Sequence, residues 1–354
     1  MKVPFVDLSA QYEQLSGDID RAIQSVINDT AFVRGPYVSA FEERYADAYG
    51  VDHCVSCANG TDAIYIVLRM LGIGTGDEVI TVANSWISTS ETIGQTGAKP
   101  VFTDIEPDYF NIDTTQIEKK ITKNTKAIIP VHLHVIEDSA QAHFANYQSQ
   151  YVGTYGIAGT FSFYPGKNLG AYGDAGAIIT NNDELARRCR AFANHGALKK
   201  HHHVMEGINS RLDGLQAAVL NVKLPYIQEW NQRRAAHASQ YTEELSDVSG
   251  ITAPPIRNNA DHVFHLYVIR VDNGRDDLQD FLKQRDISTS IHYPTPLPFM
   301  EAYSSLGHTS SDFPVAATYQ DKILSLPIYP ELTEGMINYV SSAIRSWSES
   351  RYHS

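Results

Sequence analysis

Lys167 stands alone. It is the only lysine or arginine between Ala127 and Ala186, a stretch of 60 residues. It lies in a turn, Pro165-Gly166-Lys167-Asn168-Leu169-Gly170, between two strand-like runs, Thr160–Tyr164 and Ala175–Thr180. A lysine among Phe161, Phe163, Tyr164 and glycines is partly desolvated, and desolvation lowers an ammonium pKa. The freed amine is the nucleophile that Schiff-base chemistry on a carbonyl requires. The plain alternative is a loop lysine whose long stem lets its charge reach water.

Two other strand ends carry groups that suit such chemistry. In Cys57-Ala58-Asn59-Gly60-Thr61-Asp62 a strand feeds a helix through Gly60. Free amides at that helix start, with the Thr61 hydroxyl, suit a phosphate. A simple Asn or Thr cap explains the same residues. In Val135-Ile136-Glu137-Asp138-Ser139-Ala140-Gln141 two acids follow an apolar strand. A carboxylate there can keep a heterocyclic nitrogen protonated, since opposite charge favours the cation. A metal ligand is the rival reading, but no partner acids or histidines at ligand spacing accompany it; a helix cap is the bland one. Trp86, just past the run EVITV, could offer a face to a ring or simply fill core.

Three patterns point less far. Cys54-x-x-Cys57 has redox spacing but sits on a predicted buried strand, where packing is the better reading. His201-His202-His203 beside Lys199 and Lys200 reads better as a basic loop than as a metal tract. Gly72-x-Gly74-x-Gly76 follows a helix and precedes a strand, the reverse of the dinucleotide fingerprint.

The elements that position these residues follow from periodicity. Helical patterns cover Ser16–Asn28 and Tyr37–Tyr49, parted at Arg34-Gly35-Pro36. Strands then start near His53, Glu78, Pro100 and Lys126, with helices Thr61–Leu71, Ser85–Thr96 and Thr114–Ile121 between them. This alternation predicts an α/β fold with a mostly parallel sheet covered by helices on both faces. Strands continue at His134–Asp138 and Thr160–Phe163, and Asp183–His195 reads as a helix. Arg211–Glu244 is a long amphipathic helix that Pro225 should kink or split. Ala253-Pro254-Pro255 marks a boundary between residues 1–252 and 253–354. Beyond it, strand (Val263–Val271), helix (Arg275–Gln284), strand (Ser288–His292) and helices near Ala316 and Glu334 predict a smaller α+β C-terminal lobe.

Composition bounds the function. At 354 residues with 43% hydrophobic and 19% charged content, the chain reads as a globular protein of two bodies. A net charge of −13 speaks against nucleic acid as partner, though not against a small anion held by a local basic cluster. The N-terminus lacks a signal-like apolar core and no run suits a membrane span, so the cytoplasm is expected. Three cysteines do not make a disulfide framework.

The segments VPFVDLSAQY, FVRGPYVSAFEERYA, NGTDAI, GIGTGDEVI, GAKPVFTDI, EDSAQAH, FSFYPGKNLGAYGDAGAI, NSRLDGLQAAVL, IHYPTPLP and LSLPIYPELT occur in order along the chain. Together they resemble the DegT/DnrJ/EryC1/StrS family of nucleotide-sugar aminotransferases, which have the aspartate-aminotransferase (type I) fold and use pyridoxal 5'-phosphate. The resemblance implies that Lys167 holds the cofactor as a Schiff base and that Asp138 pairs with the pyridine nitrogen. It places Gln141 near the ring's phenolic oxygen and Trp86 on the pyridine face. Gly60, Thr61 and Ser162 would hold the phosphate, and Asn209 would reach the phosphate of a neighbouring subunit, giving a homodimer with shared active sites. His292 and Tyr293 would face the sugar, and Lys199, His201 and Arg211 its diphosphate. The implied reaction is ping-pong transamination from an amino acid, glutamate, to a keto group at C3 or C4 of a nucleotide-linked deoxysugar, with Lys167 moving the proton. The rivals are a dehydratase on the same scaffold, against which Lys167 speaks because those relatives carry histidine there, and a non-catalytic regulatory homologue.

One departure from the resemblance is local. The strand at His134 follows directly on KAIIPVHL, whereas parallel neighbours need a crossover of about a dozen residues, and the family carries a loop and helix of roughly twenty there. The expectation is a segment missing between Leu133 and His134.

Overall fold

The computed structural model describes residues 1–130 and 136–352. The expected break between Leu133 and His134 falls outside the described residues.

Helix α1 (Leu8–Asn28) begins eight residues earlier than periodicity suggested. The Asp7 carboxylate accepts from the Ala10 amide at 2.9 Å, and Gln11, Leu15 and Ile19 then lie on one buried face. Helix α2 (Pro36–Tyr49) starts with proline in its first turn and stops at Gly50, whose φ of 67° closes the end. The alternation follows as β1 (His53–Cys57), α3 (Gly60–Met70), β2 (Glu78–Val82), α4 (Ser88–Thr96), β3 (Lys99–Thr103), α5 (Thr114–Lys120), β4 (Thr125–Ile129) and β5 (Ile136–Asp138). A short hairpin, β6 (Asn146–Tyr147) and β7 (Gln150–Tyr151), precedes β8 (Ala158–Ser162) and β9 (Gly176–Thr180).

Among the described residues, β2 pairs in parallel with β3 and β4, and β5 in parallel with β8. The returns β8–β9 and β1–β9 are antiparallel. Side chains alternate across this sheet. Cys54, Phe161, Ala177 and Ile179 pack under α1, α2 and the helix that begins at Gly214, while Val55, Cys57, Ala158 and Ile178 pack under α3 and the helix that begins at Asp183. Both faces are therefore covered, and the C-terminal ends of β1, β2, β5 and β8 remain open to a ligand.

Helix α6 (Asp183–Phe192) leads into a hairpin of β10 (Ala197–Lys199) and β11 (His202–His203). The predicted long helix is divided at Pro225: α7 (Gly214–Lys223), a 3-10 turn (Leu224–Tyr226) and α8 (Ile227–Leu245). The last quarter comprises β12 (Ile251–Thr252), β13 (Ala260–Asp261), β14 (Tyr267–Val271), α9 (Arg275–Lys283), α10 (Pro314–Tyr319), β15 (Ile323–Leu326) and α11 (Glu334–Tyr352). Its core joins Tyr267, Leu278, Leu324 and Ile344 to Tyr241 and Leu245 of α8 and to Val3.

Two expected strands are corrected. Val263–Val271 is a strand only from Tyr267, because the Val263 carbonyl turns inward to accept from Asn168. Ser288–His292 forms no strand. Single bridges at Ile287 to Val3 and at Ser290 to Ser325 hold it instead. No helix among the described residues is long and apolar enough to cross a membrane.

Candidate active site

Lys167 follows β8 in a turn that its own amide closes onto the Tyr164 carbonyl at 2.8 Å. The loop then returns: the Ala171 amide donates to the Phe163 carbonyl, and a β-carbon at Gly170 would stand 2.3 Å from the Pro165 carbonyl oxygen. Only glycine permits that approach. Burial lowers the Lys167 ammonium to a pKa of about 8, against the opposing pull of the Asp138 carboxylate.

Asp138, at the end of β5, is held in place on both oxygens. Oδ2 accepts from the Thr89 hydroxyl at 2.8 Å and Oδ1 from the Ala140 amide at 3.3 Å. Burial raises its pKa, while those donors and the Lys167 charge resist the rise. Glu137, one residue earlier, faces away. Its carboxylate accepts from the amides of Gly153, Tyr155 and Gly156, each at 2.7 Å, and so organises a loop.

At the other strand end, the Asn59 side chain caps α3 by accepting from the Asp62 amide at 2.7 Å. Among the described residues no hydrogen bond engages the Gly60 and Thr61 amides of that first turn. A β-carbon on Gly60 would lie 2.6 Å from the Ser162 β-carbon, so glycine is what lets β8 and the helix start converge. The Thr61 and Ser88 hydroxyls meet at 2.7 Å. Amides, hydroxyls and a helix start thus face one small space, a fit for a phosphate. The half-buried amine and carboxylate of Lys167 and Asp138 fit the aldehyde and ring nitrogen of a pyridoxal.

Gln141 donates to the Tyr293 hydroxyl at 2.9 Å, and the Tyr293 ring lies 5.9 Å from Trp86. Trp86 is 58% exposed and therefore not core. His292 accepts or donates at Ser325 Oγ (2.8 Å) and stacks 5.7 Å from Phe5. Its pKa falls to about 4 through burial and the nearby Lys167 charge. These residues come together within one chain. Lys199, His201 and Asn209 do not join them: all three are exposed, the first two on the β10–β11 hairpin. Arg211 is half-buried beside Arg34, Arg190 and Glu42, and makes no hydrogen bond or ion pair among the described residues.

Several supporting groups escaped sequence reasoning. His143 is buried, donates from Nε2 to the Ser162 carbonyl at 2.9 Å and accepts the Tyr45 hydroxyl at Nδ1. Its place in EDSAQAH, five residues after Asp138, was the available signal. Thr89 and Ser88 lie on α4 with no motif to mark them. Lys223, at the end of α7, is fully buried, donates to the Gly170 carbonyl at 2.8 Å and lies 4.4 Å from the Tyr172 ring. The three cysteines are free and buried, with thiol pKa values pushed up by burial, which suits packing on β1 and α6.

The geometry agrees with what the chain is similar to. The profile of the DegT/DnrJ/EryC1/StrS aminotransferase family matches residues 13–134 and 132–345, two parts that meet between β4 and β5. A Geobacillus stearothermophilus protein named pleiotropic regulatory protein is 45% identical over 97% of this chain and 98% of its own. The dTDP-3-amino-3,4,6-trideoxy-alpha-D-glucose transaminase of Streptomyces venezuelae is 39% identical over 98% and 97%. The crystal structure of S. venezuelae DesV with a ketimine intermediate superposes with a TM-score of 0.95 at 39% identity, covering 98% of this chain and 99% of that one. With both the profile and full-length relatives in agreement, this chain belongs to the DegT/DnrJ/EryC1/StrS aminotransferase family.

Proposed function

We propose that this protein transfers an amino group from an amino acid, glutamate, to the C3 keto carbon of a nucleotide-linked deoxysugar. The observation that carries the reading is the Lys167–Asp138 pair: a half-buried amine whose pKa desolvation depresses, near a half-buried carboxylate, with the Gly60–Thr61 helix start close to Ser162. Position C3 is favoured because the S. venezuelae relative is named for a 3-amino sugar. Pyridoxal phosphate, the cofactor of the family, supplies when bound the electron sink that the proton shift needs.

The chain's own residues do the rest. Amides of Gly60 and Thr61, with the Thr61 and Ser162 hydroxyls, bind the phosphate. Asp138 keeps a proton on the ring nitrogen, and Thr89 keeps Asp138 aimed there. Lys167 would hold the aldehyde end of the cofactor, and its amine, with its lowered pKa, can accept and return a proton there. Trp86 and Gln141, which meet at Tyr293, would hold the ring of the cofactor. His292 and Tyr293 face the sugar.

Asn209, Lys199, His201 and Arg211 act in the neighbouring subunit's site. Exposed Phe32 and Val33, and exposed Leu198 and Val204 on and beside the β10–β11 hairpin, support a homodimer, since large apolar groups left bare favour burial in an interface. Residues 1–252 and 253–354 form the large and small domains, with the end of α8 packed into the small one. The enzyme works in the cytoplasm.

Single-turnover spectra test the reading in two halves. Glutamate alone should convert the yellow holoenzyme to its amino form, and a nucleotide 3-keto-6-deoxysugar should convert it back. A protein that binds cofactor but completes neither half is a regulatory homologue, as the G. stearothermophilus name would suggest. A C4-keto sugar preferred over the C3 isomer would move the position.

A further inference from the structure

Strand β5 leaves the sheet before its neighbour β8 ends. Ser139, the residue after β5, still donates its amide to the Thr160 carbonyl at 2.9 Å. Backbone groups of successive strand residues face opposite edges, so the Ser162 carbonyl, two residues on, faces the β5 edge as well. The chain has turned away by then, with the Ala142 amide closing onto the Ser139 carbonyl at 3.0 Å. A side chain takes the vacant ladder position: His143 Nε2 stands 2.9 Å from the Ser162 oxygen.

The partners of this imidazole fix its proton. A carbonyl only accepts, so Nε2 carries the hydrogen. Burial, with the Lys167 charge acting the same way, holds the pKa down at about 3 against the pull of the Ser162 carbonyl. The ring is therefore neutral at pH 7, and Nδ1 accepts from the Tyr45 hydroxyl of α2 at 3.1 Å. Phe161 and Phe163 flank it, each ring 5.3 Å away. The backbone is tied too: the His143 carbonyl accepts from Asn231 Nδ2 at 2.9 Å, and the Phe144 amide donates to the Tyr49 hydroxyl at 2.7 Å. This ring has one place and one tautomer.

The two things it joins are the two halves of the site. His143 ends the turn that starts at the Asp138 carboxylate. Ser162, which it holds, meets the start of α3: a β-carbon on Gly60 would lie 2.6 Å from the Ser162 β-carbon and 3.3 Å from its hydroxyl oxygen. We propose that His143 is a positioning residue for the cofactor phosphate: by filling the ladder position that β5 vacates, it holds the Ser162 hydroxyl beside the start of α3 and fixes that end of the site relative to Asp138.

The inference rests on the phosphate site of the function proposed above, and its test separates the two. Full-length protein stripped of cofactor is titrated with pyridoxal 5'-phosphate and with pyridoxal, which lacks the phosphate, and the yellow band is read for each. The measured quantity is the ratio of the two affinities, since a general loosening of the fold weakens both and leaves the ratio unchanged. Glutamine can place an amide nitrogen where Nε2 stands, whereas asparagine reaches only as far as Nδ1. His143→Asn should lower the ratio about tenfold, the size of one hydrogen bond to a charged group, with pyridoxal affinity changed less than about twofold. His143→Gln should keep the ratio within about twofold of wild type, because the donor to Ser162 is restored. Histidine 15N NMR of the wild type should show His143 protonated at Nε2 and bare at Nδ1. An unchanged ratio in His143→Asn, an equal fall in His143→Gln, or a proton on Nδ1 would overturn the assignment. A wild type that forms no band with either aldehyde, or that binds both equally, fails the function reading itself and takes this inference with it.

Discussion

Replacing Lys167 with methionine should abolish turnover and, in the cofactor-free protein at pH 7, make the fold more stable. Its ammonium is held at about 8 instead of 10.5, a gap of two to three units. At 1.36 kcal/mol per unit, keeping it charged at pH 7 costs the folded state about 3 kcal/mol, and about 1–3 after discounting for its partial contact with water. Methionine keeps the stem and removes that cost. The sign follows from proton binding. Between pH 8 and 10.5 the unfolded chain holds a proton on this lysine that the folded chain has lost, so wild-type stability rises with pH through this window. The variant has no such term. Its advantage should therefore shrink by about 1–2 kcal/mol between pH 7 and 9.5. Urea unfolding of both apoproteins at the two pH values measures this. A variant less stable than wild type at pH 7, or an advantage that does not shrink with pH, would refute the reading of Lys167 as a buried, destabilised amine.

Asp138→Asn should bind cofactor and keep its melting temperature but turn over at least about a hundredfold more slowly, as expected when a proton-transfer partner is lost. Glu137→Gln should do the opposite, lowering stability by about 1–3 kcal/mol because three loop amides lose their carboxylate, with kcat little changed. Equal kinetic effects of the two would defeat the division of roles. Lys223→Met leaves the Gly170 carbonyl without its donor, so cofactor binding to the apoprotein should slow several-fold while Lys223→Arg retains more of it; unchanged binding kinetics in both would show the loop needs no such hold.

Much of this was legible in the chain because it is written in local patterns. Period-two and period-3.6 runs marked β1 to β4 and the helices between them, and Pro225 marked the division of α7 from α8. Lys167 was visible as a lone cation in an apolar, glycine-rich turn. What stayed hidden depends on distant pairs. Thr89 matters because α4 brings its hydroxyl to Asp138, 49 residues away in sequence. Lys223 reads in sequence as an ordinary basic residue at a helix end, yet the fold buries it under the Lys167 loop. The hydrogen bonds of Asn168 to Asn231 and His265 join α8 to two loops distant in sequence. The start of α1 was missed for a smaller reason: the cap at Asp7 precedes the apolar run that periodicity detects. Residues 288–292 alternate like a strand but meet only single bridges to Val3 and Ser325.

The most direct test of the central assignment is chemical. Borohydride reduction of the yellow holoenzyme, followed by peptide mass mapping, should bleach the long-wavelength band and leave one phosphopyridoxyl group on the peptide containing Lys167. A label on another lysine, or a protein that stays colourless with pyridoxal phosphate and takes up no label, would contradict the account.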